Sequence, residues 1–351
     1  MFPLPPQPPT APLPRGALDP LTHGLASYAL KRGFFPRLPR IATWLIILAG
    51  TIADLDWLSY DSGPSAFLTW HRTYTHSVLA TIVLVPLMAI VAFFWSRRHG
   101  APQRVGTISS AVLLASLLHV AMDTWQAQGV MLLWPFRDTR FALDWLPNFD
   151  PWILAILLLA ILTPELFRLV SSEIGAKART PRGRNGALFG LAVLLIYVGV
   201  REAAHANAAA MLRAATYAGE TPKRAAAFPD SASLFTWHGV VETPSALHTL
   251  DVSLMPGAYF NPDSAVTMHK PENSPLLQAA QNTPAARQFL GVARFPKATI
   301  EHETAGYSIE IRDLRYAALR QTIGAVEVNV NLDRAGNATF ADLEWQKTRT
   351  P

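Results

Sequence analysis

The sequence predicts a mainly α membrane helical bundle followed by a C-terminal soluble α+β domain rich in β-structure. Three observations carry that expectation. Half of the 351 residues are apolar and only 16% are charged, against about 25% charged in ordinary soluble domains. Apolar runs close to the roughly 20 residues that cross a bilayer occupy 75–95, 107–126, 152–170 and 187–200, the last with a helical continuation. Beyond residue 203 the continuous runs give way to alternating apolar and polar residues, many of them β-branched or aromatic, as half-buried strands require.

Residues 1–18 are rich in proline and lack both the charged start and the apolar core of a signal peptide, so they read as a disordered leader. A short helix at 21–30 carries His23 near its start, and a second at 41–53 ends in Asp54-Leu55-Asp56. At about 1.5 Å per residue neither spans a bilayer comfortably. Joined by the basic turn 31–40, they are expected to dip part-way into the membrane as a hairpin, with His23 and Asp54 at similar depth. The four spanning runs follow.

Basic clusters at 31–40, 97–104 and 168–184 fall on one side when the spans alternate, and the positive-inside rule makes that side cytoplasmic. The net charge of +5 is then topological, and no nucleic-acid partner is expected. The loops 54–76 and 128–150, and the tail, face the periplasm of a bacterial inner membrane. Strands are expected at 234–242, 245–254, 299–313 and 325–332, with turn chemistry at Asp333-Arg334-Ala335-Gly336-Asn337 before a last strand. The chain thus divides into a leader 1–18, a membrane metal-site domain 19–202 and a β-rich tail 203–351.

There is no cysteine, so a transition-metal site must be built from His, Asp, Glu, water or backbone. Seven such side chains stand in the membrane half where polarity is costly: His23, Asp54, Asp56, His71, His76, His119 and Asp123. His119 and Asp123 are four apart and share one helix face. Asp54 and Asp56 close a helix C-terminus, where capping explains carboxylates poorly. His71-Arg72-Thr73-Tyr74-Thr75-His76-Ser77 supplies two imidazoles and a guanidinium, suited to a metal together with an anionic oxygen. Asp19 and Asp150 read first as helix N-caps. The tail histidines, His205, His238, His248, His269 and His302, show no ligand spacing.

The order Asp19-Pro20-Leu21-Thr22-His23-Gly24, Ala53-Asp54-Leu55-Asp56, His71 to Ser77 and His119-Val120-Ala121-Met122-Asp123 resembles the LexA-regulated, inner-membrane metal-dependent hydrolase family (YdjM-like) over about residues 19–155. Trp134-Pro135-Phe136 and Phe149-Asp150-Pro151 also look like that family's pattern. Its distant similarity to zinc-dependent phospholipase C and single-strand nucleases implies a phosphoester-type substrate. The second His-xxx-Glu pair those relatives often add has no clear equivalent here.

The function expected is metal-dependent hydrolysis of a membrane lipid or lipid-linked substrate. His23, Asp54, His71, His119 and Asp123 would hold a divalent ion, zinc first and manganese or iron also permitted by the ligands. Arg72 would hold the substrate anion, and Asp56 or His76 would act as general base or second-metal ligand. The alternatives are an intramembrane metal or proton transporter, and a scaffold with a structural metal. A transport path should carry polar groups toward both faces. Oligomeric state is not encoded in these patterns.

Overall fold

The computed structural model describes residues 19–99, 104–173, 183–319 and 324–346. The proline-rich leader and parts of two basic clusters lie outside them.

The N-terminal half is helical. Helix α1 (Asp19–Phe34) and α2 (Arg40–Ala49) form the hairpin, and α2 passes through a break at Gly50 into a 3-10 helix, Ile52–Ser62, bent by 46°. After the short α3 (Pro64–Trp70) come α4 (Val78–Arg98), α5 (Val105–Trp125), α6 (Pro151–Glu173) and α7 (Arg184–Ala214). Among the described residues α4, α5 and α7 are long and apolar enough to cross a membrane, and the bent pair makes a fourth if it is one span. Helix α6, read as a span from the sequence, is a shorter apolar helix over Pro151–Phe167 in the described residues. The outward faces of these helices are apolar: Ile82, Val83 and Phe94 on α4, Leu162 and Leu166 on α6, and Leu195 and Ile196 on α7 are all exposed.

Inside the bundle, Ala42, Ile46 and Ala49 of α2 pack against Ile108, Ala111, Val112 and Ala115 of α5. Small residues let these helices approach closely. A second core joins α1 through Ala26 and Ala29 to Met122, Leu157 and Leu194.

The tail holds two four-stranded antiparallel sheets, each a simple meander. The first is β1 (Arg224–Pro229), β2 (Thr236–Glu242), β3 (Ala246–Ser253) and β4 (Val266–His269); the second is β5 (Pro296–Glu303), β6 (Gly306–Asp313), β7 (Val326–Asp333) and β8 (Ala338–Trp345). Helices α8 (Pro275–Gln281) and α9 (Pro284–Leu290) cover the second sheet through Ala280, Ala286 and Phe289, and α10 (Leu314–Ala318) follows β6. The expected strand 299–313 is two strands, because Thr304 and Ala305 turn the chain back and pair Glu303 with Gly306.

Helix α7 runs unbroken across residue 203, and Ala208, Ala209 and Leu212 near its end pack on Trp237, Val241 and Val252 of the first sheet. Arg201 ties the halves together. Its buried guanidinium donates to the carbonyls of Trp145, Ser233 and Asp230 and lies 4.7 Å from the Trp237 ring centre.

Candidate metal centre

Four segments bring the polar residues to one place: the start of α1, the 3-10 helix after α2, the irregular loop 71–77 and the end of α5. His23, Asp54, His119 and Asp123 each offer a ligand atom within 4.8 Å of the others, and all four are buried. His76 joins them, its Nε2 standing 2.9 Å from Asp123 Oδ2 and 3.8 Å from Asp54 Oδ1.

The orientation of the imidazoles is more telling than their proximity. Each ring has its Nδ1 engaged by an acceptor at the rim: His23 with Asp54 Oδ2 at 3.0 Å, His76 with Asp56 Oδ2 at 3.1 Å, and His119 with the Gly50 carbonyl at 2.9 Å. Apart from one another and Arg72, neither these buried Nε2 atoms nor the oxygens of Asp123 have a hydrogen-bond partner. Metal-ligating histidines behave in this way, with the outer nitrogen fixed by a carboxylate or carbonyl and the inner lone pair left for the ion. Buried polar atoms are otherwise nearly always paired. The donor set of imidazole nitrogen and carboxylate oxygen, without sulfur, fits a zinc-class divalent ion.

Gly50 makes one of these supports possible. A Cβ there would lie 1.9 Å from Ser27 Oγ, so the break between α2 and the 3-10 helix can press against α1 only with glycine. The same break frees the Gly50 carbonyl to meet His119.

His71 stands outside the four-residue group. Its Nδ1 pairs with Asp56 Oδ1 at 2.9 Å, and its ring stacks on Phe67 at 4.4 Å. Asp56 is a hub, accepting also from the Arg72 backbone N–H (2.7 Å) and Thr75 Oγ1 (3.0 Å) while it holds His76. Arg72 adopts a left-handed backbone, φ +58°, rare for a residue of its size. That strain is held on several sides: its N–H by Asp56, its carbonyl by the Met131 N–H, and its Nη2 by Asp19 at 2.8 Å and Gln126 at 2.6 Å. Nη2 also lies 3.0 Å from Asp123 Oδ1, while Nη1 is buried without a partner. Asp19, read as an N-cap from the sequence, is thus the buried counter-ion of Arg72. Asp150 does cap α6, accepting from the N–H groups of Trp152 and Ile153.

Four buried carboxylates, Asp19, Asp54, Asp56 and Asp123, face one guanidinium. Burial disfavours a proton on His76, yet the charge of Asp56 and hydrogen bonds to Asp123, Asp54 and Asp56 together outweigh that effect and hold the imidazole well above its ordinary value. Burial dominates at His71 and pushes it down despite Asp56. A field that retains a proton in this way also attracts a divalent cation.

An apolar layer separates the cluster from the basic end, since Ala42, Ile46, Ile108, Ala111 and Val112 are all buried there. The polar groups therefore lie at the end of the bundle away from the basic turn.

A protein of Bacillus subtilis (strain 168), the uncharacterized protein YfhP, is 32% identical over 124 residues, which is 34% of this chain and 36% of that relative. The match therefore spans about a third of the relative's length. No solved structure matches the chain. The family model of the YdjM inner membrane protein covers residues 18–208, more than half of the chain and every residue of the cluster. This chain belongs to the YdjM inner membrane protein family.

Proposed function

We propose that the chain is a metal-dependent hydrolase of the bacterial inner membrane, acting on a phosphoester of a lipid or lipid-linked substrate. One observation carries this reading: three imidazole Nε2 atoms and the buried Asp123 carboxylate converge on one point, while the outer nitrogens of the rings are held. On this reading His23, His76, His119 and Asp123 hold the ion. Asp54 fixes His23 with one oxygen and faces the centre with the other.

A divalent ion bound there supplies Lewis-acid activation of water and of a phosphoryl oxygen. The chain's own residues do the rest. Asp54 orients the attacking water with its inward oxygen. The unpartnered Nη1 of Arg72 steadies the substrate's anionic oxygen, and Asp56 keeps His76 and the 71–77 loop in place. Asp56 is engaged by four groups, which favours an orienting role over proton transfer.

Zinc is the first choice, with manganese or iron compatible with the same donors. On the same reading the tail lies in the periplasm, on the side of the bundle that holds the cluster. The one-sided polar cluster, backed by the apolar layer, favours catalysis over a transport path.

The test is turnover of a generic phosphodiester and of a short-chain phospholipid by purified full-length protein, wild type beside His119→Ala. Metal-dependent hydrolysis by wild type and its loss in the variant are expected. Metal uptake into proteoliposomes without any hydrolysis would instead establish the transporter.

A further inference from the structure

At the basic end of the bundle, away from the metal centre, the turn between α1 and α2 meets the starts of α5 and α7 around a groove of about 480 Å³. That volume lies within the range of small-molecule sites, about 300–1,000 Å³. Arg37, Arg104, Thr107 and Arg184 form its polar lining, and Phe34, Phe35 and Leu38 contribute an apolar wall. Two of the arginines are anchored on backbone. Arg104 Nη1 donates to the Arg37 carbonyl, and Arg184 Nε donates to the Gly33 carbonyl at 3.2 Å. These bonds hold the guanidiniums at the groove without neutralising them.

Among the described residues no carboxylate offsets this charge: Glu165 is paired with Arg32, and Arg37, Arg104 and Arg184 make no ion pair. All three side chains are exposed, so water can solvate them; what points to a ligand is their convergence around one space with an apolar wall. Helices α5 and α7 both begin here without a side-chain cap, so the positive ends of two helix dipoles add to the guanidiniums. Phe34, which lines the groove, is 61% exposed, and Phe189 in the second turn of α7 is 72% exposed. Apolar surface beside a cationic groove suits an anion that carries a hydrocarbon part, whereas inorganic phosphate would leave that surface bare. With α5 and α7 as membrane spans, the groove sits at the bilayer surface, where headgroup phosphates are concentrated.

We propose that this groove binds the phosphate headgroup of an anionic glycerophospholipid. Arg37, Arg104 and Arg184 donate to the phosphate oxygens, and Phe34 and Phe35 lie along the start of the acyl part. The bound lipid bridges three segments far apart in sequence, and so ties the α1–α2 hairpin to α5 and α7 at the end opposite the metal centre. The site rests on these helices being membrane spans and is independent of turnover at the metal centre.

The test is an equilibrium titration of the purified full-length protein in detergent with short-chain phosphatidylglycerol and, separately, short-chain phosphatidylcholine, read by native mass spectrometry at fixed ionic strength. Wild type is expected to bind phosphatidylglycerol at least about tenfold more tightly, since hydrogen bonds to charged groups contribute that much or more. Arg37→Gln with Arg184→Gln should abolish the preference. Thr107→Glu sets a carboxylate in the groove wall, at a place in the first turn of α5 where an acidic residue favours the helix, and should abolish it too. Arg137→Gln removes an exposed arginine from the loop between α5 and α6 and should leave the preference intact. Metal content should be the same in all of these proteins. Equal affinity for the two lipids, an unchanged preference in Thr107→Glu, or an equal loss in Arg137→Gln would each overturn the proposal. Displacement of the lipid by an equal concentration of inorganic phosphate would also overturn it, by making the site one for the free ion. Retention of the protein in phosphatidylcholine vesicles after an alkaline wash is expected and tests the spans apart from the groove; its release would remove the membrane premise and the proposal with it.

Discussion

Histidine–aspartate pairs occur in both halves of the molecule, and they differ in what their second nitrogen does. In the tail, His238 lies between two carboxylates, with Nδ1 at 2.6 Å from Asp251 and Nε2 at 3.2 Å from Asp230. His248 is likewise satisfied on both sides by Thr243 and Thr267. In the helical half, His23, His76 and His119 each have one nitrogen held and the other left facing the same point. Proximity of His and Asp is common, and closed pairs stabilise a sheet. Inward-facing nitrogens that share one point mark a group that could hold an ion.

The most severe way to break this contrast is Asp123→Asn beside His238→Gln, with metal measured by elemental analysis of purified protein. Asp123 contributes a fully buried carboxylate whose close neighbours are Arg72 Nη2 at 3.0 Å and His76 Nε2 at 2.9 Å. Metal content is expected to fall from near one ion or more per chain to less than about a tenth of wild type in Asp123→Asn. His238→Gln is expected to leave it unchanged. Equal loss in both variants would erase the distinction between closed and open pairs.

The supporting acceptors come next. Asp56→Asn leaves one oxygen and one amide where four donors now converge, so His76 and the 71–77 loop lose their anchor. Outer-shell changes of this kind weaken metal affinity by about 10–100-fold. Competition with a calibrated chelator reads that shift directly. An affinity within twofold of wild type would show that Asp56 serves the loop and not the ion.

How much of this was legible in the sequence depended on whether the backbone was regular. His119 and Asp123 lie four apart on a helix, so their common face could be read directly. The tail strands β2, β3 and β7 were visible by alternation. The placement of His71 and His76 was not, because the loop between them contains Arg72 at positive φ, and no periodicity describes such a path. The sequence reading therefore put His71 among the metal ligands and His76 beside it as base or second-metal ligand, whereas the structure turns His76 toward the centre and leaves His71 on Asp56. Strand β1 was missed because Arg224-Ala225-Ala226-Ala227-Phe228-Pro229 has low β-propensity and is a strand through its pairing with β2. The role of Asp19 was hidden for a related reason: its partner Arg72 is 53 positions away.

The halves can also be compared through their links. Arg201 is 1% exposed, and its guanidinium serves three carbonyls that belong to the α5–α6 loop and to the turn before β2. Arg201→Ala leaves those acceptors unsatisfied beside an emptied space over Trp237. A loss of about 2–4 kcal/mol is expected, since hydrogen bonds from a charged group contribute roughly 1.5–3 kcal/mol and the lost packing adds to it. Thermal unfolding in detergent should show a lower midpoint for Arg201→Ala and near-normal metal content before unfolding begins.

The smallest effect is expected at the other end of the seam, where α9 meets α3. Gln288 donates to the Ser65 carbonyl at 2.8 Å and to Thr69 Oγ1 at 2.9 Å, and accepts from Ser65 Oγ at 2.9 Å. By number of bonds it equals Arg201. Its bonds are exposed, however, and water replaces each of them when the side chain is removed, so the net worth of the set is small. Burial at this contact comes instead from Leu68, which enters the core under the second sheet, and from Trp345, which stacks on Tyr60 at 4.2 Å. Gln288→Ala should therefore change stability by less than about 0.5 kcal/mol, as surface substitutions usually do. Leu68→Ala should cost about 2–5 kcal/mol by removing a buried aliphatic side chain. A double variant, Gln288→Ala with Leu68→Ala, should match the sum of the two to within about 0.5 kcal/mol if the polar and apolar parts of the seam act independently. A larger effect for Gln288→Ala than for Leu68→Ala would mean that hydrogen bonds, and not apolar burial, dock the tail onto this side of the bundle.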